Sequence, residues 1–310
     1  MIKYYLRKSK HEEVVTSLSY EPGQWVQLIA PTEEEIHYIS RELSLEPSLL
    51  LDATDMDEMP RFEIDDDTAY LYTRFAWKNA GGTIHTEPVL FVVGKGVFVS
   101  LTNRSFPALE DLLIRQKHLV TNRPKHLLLP VLNVSLQSYA SQLAHIGRQI
   151  RTARNALRDE KFSNKHFVRF VEIEDFLNDF LSELVPTNNI LLNMVAGRKA
   201  FSFTETDHDI LEDLQLETAQ LIDESKGYLK TIVNIREAYS NVMTNNLNRQ
   251  IKILTTLTIV LTVPTIVGSF FGMNVGIPLD NNPLAFPLIV GTTFGVAFLV
   301  LYFLKRKDWL

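Results

Sequence analysis

Five hydroxyl side chains, Thr255, Thr258, Thr262, Thr265 and Ser269, follow one another at steps of 3, 4, 3 and 4 residues. On an α-helix that spacing puts all five on one face. Carried backward, the same steps meet Ile251, Asn248, Thr244 and Asn241. One face from 241 to 269 is therefore hydroxyl or amide, with Ile251 its single apolar member. A line of neutral hydroxyl and amide groups can face water rather than lipid. Two plainer uses compete. Threonine hydroxyls bond back to the carbonyl at i−4, and small polar residues serve helix packing. A five-member stripe fits a water-facing surface better than scattered threonines would.

The stripe lies in an unusual stretch. Residues 253 to 304 carry a single charge, Asp280, and are broken near the middle by Gly272-Met273-Asn274. Each half is long enough for a helix to cross a hydrocarbon core of about 30 Å. The pattern predicts two C-terminal transmembrane helices behind a large water-soluble part. Arg249 and Lys252 precede the first span, and Lys305, Arg306 and Lys307 follow the second, while the loop between has no Lys or Arg. That bias puts both termini in the cytoplasm. The N-terminal MIKYYLRKSKHEE has no apolar signal-peptide core, so the expected location is the plasma membrane, multi-pass, with the first span as its targeting signal. Two spans cannot enclose water, so a lumen requires several copies of the chain, with the first spans inside and the second, Ala285 to Leu304, facing lipid. Pro264 predicts a local kink in the first span.

Ahead of the membrane the chain reads as α+β. Trp25–Ile29, Ala69–Thr73, Val89–Val93 and Val97–Leu101 are rich in β-branched and aromatic residues and predict strands. Gly94-Lys95-Gly96 predicts a hairpin between the last two. Thr32 followed by three glutamates predicts a capped helix, and Glu46 to Leu51 a second. From about Leu127 the pattern is helical: Leu128 to Arg158, then Phe167 to Arg198 with a kink or break at Pro186, then one helix from Asp209 into the first span. Leu214, Leu221, Tyr228, Ile235 and Val242 recur every seven residues with Ile232 and Tyr239 between them. This seam fits either a coiled coil or an amphipathic helix packed on its own domain. The expected division is 1–126, an α/β domain; 127–250, a helical region with the stalk helix; and 251–310, the transmembrane hairpin and basic tail.

Several classes fall away. The 310 residues include no cysteine, so disulfides, thiolate metal sites and cysteine nucleophiles are excluded. The eight histidines do not pair at ligand spacing, and neither a phosphate loop nor a nucleophile motif occurs. No enzymatic activity or organic cofactor is expected. The net charge of −6, with scattered basic residues, argues against nucleic acid as a partner.

Gly272-Met273-Asn274 after a C-terminal apolar helix, followed by a short loop, a second span and the tail Lys305–Leu310, resembles the CorA family of divalent cation channels. Leu45–Asp52, Arg61-Phe62-Glu63 and the hairpin before Thr102 are similar to its N-terminal region. The resemblance implies a funnel-shaped homopentamer that passes Mg²⁺, and often Co²⁺ and Ni²⁺, down its electrochemical gradient. It implies that Gly272, Met273 and Asn274 form the selectivity filter, with Asn274 ringing the outer mouth. Family pore positions fall on Asn248, Ile251, Thr262 and Thr265, all on the stripe. It also implies closure when Mg²⁺ binds between cytoplasmic domains, with Asp213 at one such position and a partner in Asp65-Asp66-Asp67 or near Glu87. Departures are Phe271 before the motif, a loop Val275–Asp280 without glutamate, and Thr258 and Thr262 where familiar members are apolar. The gate then rests on Ile251 and Leu254. The partners expected are further copies of the chain and membrane lipid. Alternatives are a zinc transporter of the same family, and a membrane-anchored scaffold or sensor that needs neither the stripe nor Asn274.

Overall fold

The computed structural model describes residues 1–94, 96–158, 164–197, 203–273 and 283–307. It divides into two compact units, Met1–Asn234 and Ile235–Leu310. The division falls inside one helix rather than at a loop.

The first unit is built on a seven-stranded sheet. Its strands are β1 (Ile2–Leu6), β2 (Val15–Ser17), β3 (Trp25–Ile29), β4 (Arg61–Asp65), β5 (Thr68–Lys78), β6 (Ile84–Gly94) and β7 (Val97–Thr102). They lie in the order β2-β1-β3-β7-β6-β5-β4, and only β3 and β7 pair in parallel. The expected strands and the β6–β7 hairpin are present; Gly94 pairs with Val97, and Gly96 takes φ +80, which glycine adopts without strain. The strands β1, β2 and β4 have no counterpart in the sequence expectations. They are short, and the acidic residues of β4 mask a hairpin in which Asp65 pairs with Thr68 across the two-residue turn Asp66-Asp67, with Asp66 at φ +50.

The central strands are buried on both faces, so they read as continuous apolar runs rather than alternating ones. One face, with Val26, Leu28, Tyr70, Tyr72, Leu90, Val92, Val99 and Leu101, packs with Ile36, Ile39 and Leu50. Those last three come from α1 (Glu33–Leu43) and α2 (Pro47–Asp52). Thr32 caps α1 with a full capping box: its hydroxyl accepts from Glu35 N, and Thr32 N donates to Glu35 Oε2 at 3.0 Å. The other face is aromatic, with Trp25 edge-on to Phe98 at 5.4 Å and Phe91 stacked on Phe98 at 6.1 Å. It is covered by α5 (Pro124–Arg158), whose Ser135 hydroxyl donates to Arg74 O at 2.7 Å.

Helix α6 (Asn164–Val195) follows; of the kink or break expected at Pro186, the break does not occur. Leu184 and Leu191 on either side of it are 1% exposed, so packing holds the helix through the missing hydrogen bond. The third long helix, α7 (Glu205–Phe271), runs 67 residues without interruption, about 100 Å at 1.5 Å per residue. Its seam is buried at Leu214, Leu221, Ile232 and Ile235, while Val242 is 38% exposed. From Leu214 to Ile232 the seam therefore packs on its own unit, and from 240 to 254 every residue is exposed.

The second unit consists of the remainder of α7 and α8 (Ala285–Arg306). Both helices are long and apolar enough to cross a membrane, with mean hydropathy over their best windows of 1.9 and 2.1.

Candidate ion-path surface on helix α7

The two apolar helices meet along a narrow seam. On α8 the least exposed residues are Ala285, Ile289, Thr293, Ala297, Val300 and Leu304, almost always four apart, and Thr293 and Ala297 are buried outright. On α7 the corresponding residues are Thr256, Val260, Val263, Pro264 and Val267. A groove of about 450 Å³ between the helices is lined by Pro264, Val267 and Gly268 on one side and Ile289, Thr293 and Phe294 on the other. Apart from Pro264 and Leu304, the seam residues are small or β-branched, types suited to helix packing in lipid.

The polar stripe lies on the other side of α7. Thr258, Thr262, Thr265 and Ser269 are exposed, each two residues beyond a seam position at 256, 260, 263 or 267. Two residues rotate a helix by about 200°, so stripe and seam are back to back. Thr255 is partly covered, at the edge between the two faces. Asn241, Thr244, Asn248 and Ile251 continue the exposed face, with Ile251 52% exposed.

Four hydroxyl donors on this face, at 244, 258, 262 and 265, are used internally. Thr258 Oγ1 donates to Leu254 O at 2.9 Å, Thr262 Oγ1 to Thr258 O at 2.8 Å and Thr265 Oγ1 to Leu261 O at 2.9 Å. Thr244 Oγ1 likewise donates to Ser240 O at 2.9 Å. The back-bonding alternative thus holds, but it does not compete with a water-facing role. A hydroxyl that has given its proton to the backbone presents only lone pairs outward. The stripe is a row of acceptors, suited to donors such as the water of a hydrated cation. Thr256, on the seam, differs: its oxygen is buried with no hydrogen-bond partner.

Gly272 closes the helix, its N–H bonding Gly268 O at 3.0 Å, and a Cβ there would stand 3.2 Å from that carbonyl. Met273 is 51% exposed. Asn274, the loop Val275–Asp280 and the expected ring at the outer mouth lie outside the described residues. Leu254 is 65% exposed. Asp213 is exposed on α7, and Asp65, Asp66 and Asp67 are exposed around the β4–β5 turn. Glu87 is largely buried and faces Arg104 at 3.6 Å. No group of three or more His, Asp or Glu able to hold a metal ion occurs among the described residues of the single chain.

Sequence reasoning missed two features. The α8 seam is one; its signal was available in the four-residue spacing of Ala285, Ile289, Thr293 and Ala297. The other is a buried ionic knot in the first unit. Arg74 Nε lies 2.7 Å from Glu183 Oε1, and Arg74 also donates to Met56 O at 2.9 Å and Glu58 O at 2.7 Å. Glu183 accepts from Tyr139 Oη at 2.7 Å and from the Thr86 hydroxyl. Burial pushes the Glu183 carboxyl up, against the bonds from Thr86 and Tyr139 and the charge of Arg74. The knot ties α5 and α6 to β5, β6 and the 53–60 connection, and no local pattern announces it.

A family model described as CorA-like Mg2+ transporter protein matches residues 21–306. The cobalt/magnesium transport protein CorA of Methanocaldococcus jannaschii is 23% identical over 96% of this chain and 96% of its own length. The magnesium transport protein CorA of Salmonella typhimurium is 24% identical over 96% of this chain and 95% of its own. Among solved structures, the complete CorA magnesium transporter from Methanocaldococcus jannaschii superposes with a TM-score of 0.87 at 23% identity, covering 100% of this chain and 99% of that one. The full-length CmaX protein gives a TM-score of 0.77 at 19% identity, covering 98% and 97%. These likenesses extend over both units, so the fold is shared from end to end.

Proposed function

This chain is a member of the CorA family of Mg²⁺ transporter proteins, and from that premise we propose that it conducts hydrated Mg²⁺, and Co²⁺ with it, through a homopentamer. The stripe Asn248, Ile251, Thr255, Thr258, Thr262, Thr265 and Ser269 lines the path. The α8 helices form the outer ring against lipid, and both termini lie in the cytoplasm. The observation that carries the reading is the back-to-back arrangement on α7: the seam for α8 on one side, and a row of outward-facing acceptors on the other.

The chemistry follows from the ion. Mg²⁺ dehydrates reluctantly and usually keeps several waters. Those waters are donors, polarised by the charge, and need acceptors that do not trap them. Threonine oxygens whose protons are committed to the backbone fit that need, and a neutral stripe leaves release fast. Ile251, the stripe's one apolar member, and Leu254 beside it on the helix form the gate by dewetting. At the opposite end Gly272, Met273 and Asn274 form the filter, where the Asn274 amide meets the hydrated ion. The membrane potential supplies the drive, about 2.3 kcal/mol per unit charge per 100 mV and so about 4.6 kcal/mol for a divalent ion.

Mg²⁺ also regulates, on this reading, by bridging Asp213 to an acidic group of a neighbouring copy. A site between copies fits the lack of a complete ligand cluster within the described residues of one chain. Asp65, Asp66 and Asp67 are exposed and available as the partner, whereas Glu87 is engaged by Arg104.

The experiment is ion uptake into liposomes holding the purified chain, with Mg²⁺ and Zn²⁺ tested separately, for wild type and Asn274→Ala. Mg²⁺ entry driven by a negative internal potential and altered by the substitution supports the proposal. Zn²⁺ entry alone assigns the chain to zinc transport. No flux of either ion from a verified oligomer leaves the anchored scaffold.

A further inference from the structure

Arg7 is a buried cation without a counter-charge. It follows β1, is 4% exposed, and forms no ion pair among the described residues. Its Nη1 donates to Gln116 O at 3.2 Å and Leu119 O at 3.3 Å, while Nε is buried with no partner. The backbone fixes it in place, because Arg7 N donates to Thr121 Oγ1 at 2.9 Å and Thr121 N to Arg7 O at 2.9 Å. A charge held out of water without an opposite charge is costly, and natural sites supply the missing partner.

The space for that partner is a cleft of about 530 Å³, of the size that holds a small ligand. Arg7 stands in its wall, with Lys10 from the β1–β2 connection and Lys117 beyond α4 (Leu112–Arg115). Of the acids in the lining, Glu110 takes Lys3 at 2.7 Å and the Ser105 hydroxyl, while Glu12 accepts only the backbone N–H of Lys8, at 3.3 Å. Arg7, Lys10 and Lys117 therefore share the cleft with two carboxylates that no cation pairs among the described residues, Glu12 and Glu13. His11 and Thr16 add polar groups, and the remaining lining is apolar. Tyr5 on β1, two residues before Arg7, leans on Trp25 at 6.4 Å, and Leu113 and Ile114 stand nearby with Ile114 65% exposed.

We propose that this cleft binds a small organic phosphate of the nucleotide class. The phosphates take the place of the missing counter-ion at Arg7, Lys10 and Lys117, and the ring lies against Tyr5, Leu113 and Ile114. Arginine and lysine around a phosphate make charge-assisted bonds, and a flat ring on an aromatic surface adds apolar burial. The site is separate from the ion path and does not depend on which ion is carried.

The test is calorimetric titration of the full-length protein in detergent with ADP and with pyrophosphate, which share the phosphates and differ in the nucleoside. Saturable binding of ADP, about fivefold or more tighter than pyrophosphate, is expected. The double variant Lys10→Glu/Lys117→Glu changes only exposed side chains, so it keeps the ligand-free melting temperature while weakening ADP by about tenfold or more. Arg7→Met, if it folds, loses ADP binding; if it does not, the lysine variant carries the test. Three outcomes overturn the proposal: no saturable binding of ADP up to about 10 mM, equal affinity for ADP and pyrophosphate, or ADP binding that survives the double variant.

Discussion

Two threonines six residues apart offer a matched pair of substitutions with opposite predicted results. Thr262→Val and Thr256→Val each exchange a hydroxyl for a methyl of nearly the same volume, and the two residue types have similar helix propensities. Thr262 lies on the exposed stripe with its proton given to Thr258 O at 2.8 Å. Valine there removes the outward acceptor and leaves the helix intact. One such contact is worth about 1 kcal/mol, a factor of about five in rate. An ion whose water shell touches two copies at once loses about 2 kcal/mol, or roughly 30-fold. Thr256 is buried on the opposite face with its oxygen unpartnered. Leaving a buried hydroxyl unsatisfied costs about 1–3 kcal/mol, so valine there stabilises the hairpin by about 1 kcal/mol and leaves flux unchanged. The assay is Mg²⁺ uptake into liposomes, normalised to reconstituted oligomer, beside the thermal stability of each variant in detergent. Flux lost in Thr256→Val and kept in Thr262→Val would refute the assignment of the two faces.

Three further predictions concern the first unit. Glu183→Ala removes the one carboxylate in contact with buried Arg74 among the described residues and costs about 3–5 kcal/mol, a fall in apparent melting temperature of roughly 6–20 °C; a shift of under about 2 °C would show that the knot contributes nothing net. At the start of α7, burial raises the Asp207 carboxyl, but bonds from the Thr204 side chain and N–H and from His126 outweigh it and hold the group below its ordinary value. Its stabilisation is therefore complete above the unfolded value of about 3.9 and lost as pH falls through the lower folded value. The gap in melting temperature between wild type and Asp207→Ala should be constant above about pH 5 and close toward acid. Gly94→Ala would place a Cβ 2.9 Å from Thr68 Cα across the β5–β6 ladder, lowering stability by about 1–3 kcal/mol in the same melting assay.

Much of the membrane unit was legible because its determinants are local and periodic. Charge depletion over 253–304 gave both spans, and the 3-4 spacing of hydroxyls gave the stripe. Which side of the stripe helix meets α8 was legible only in retrospect, since it needs the small-residue spacing of a second helix. In the soluble unit, the Thr32 capping box and the Gly96 turn act over a few residues, and both were read correctly. The Arg74–Glu183 knot joins residues from a strand and a distant helix that nothing in either segment marks. At Pro186 the local rule allows a kink or a break, and with Leu184 and Leu191 buried on either side the helix runs on unbroken. The β4 strand is a different case: its pairing with β5 is a local hairpin across Asp66-Asp67, and what hides it is the acidic composition of the stretch.

The chain's lack of cysteine allows the most direct test of the ion-path assignment. Single cysteines placed at each position from 255 to 269 can be probed in membranes with a small, charged, water-soluble thiol reagent, reading labelling and block of Mg²⁺ flux together. The account predicts labelling and block at 258, 262, 265 and 269, and protection at 256, 260, 263 and 267. Labelling that follows the second set, or that shows no helical period, would contradict it.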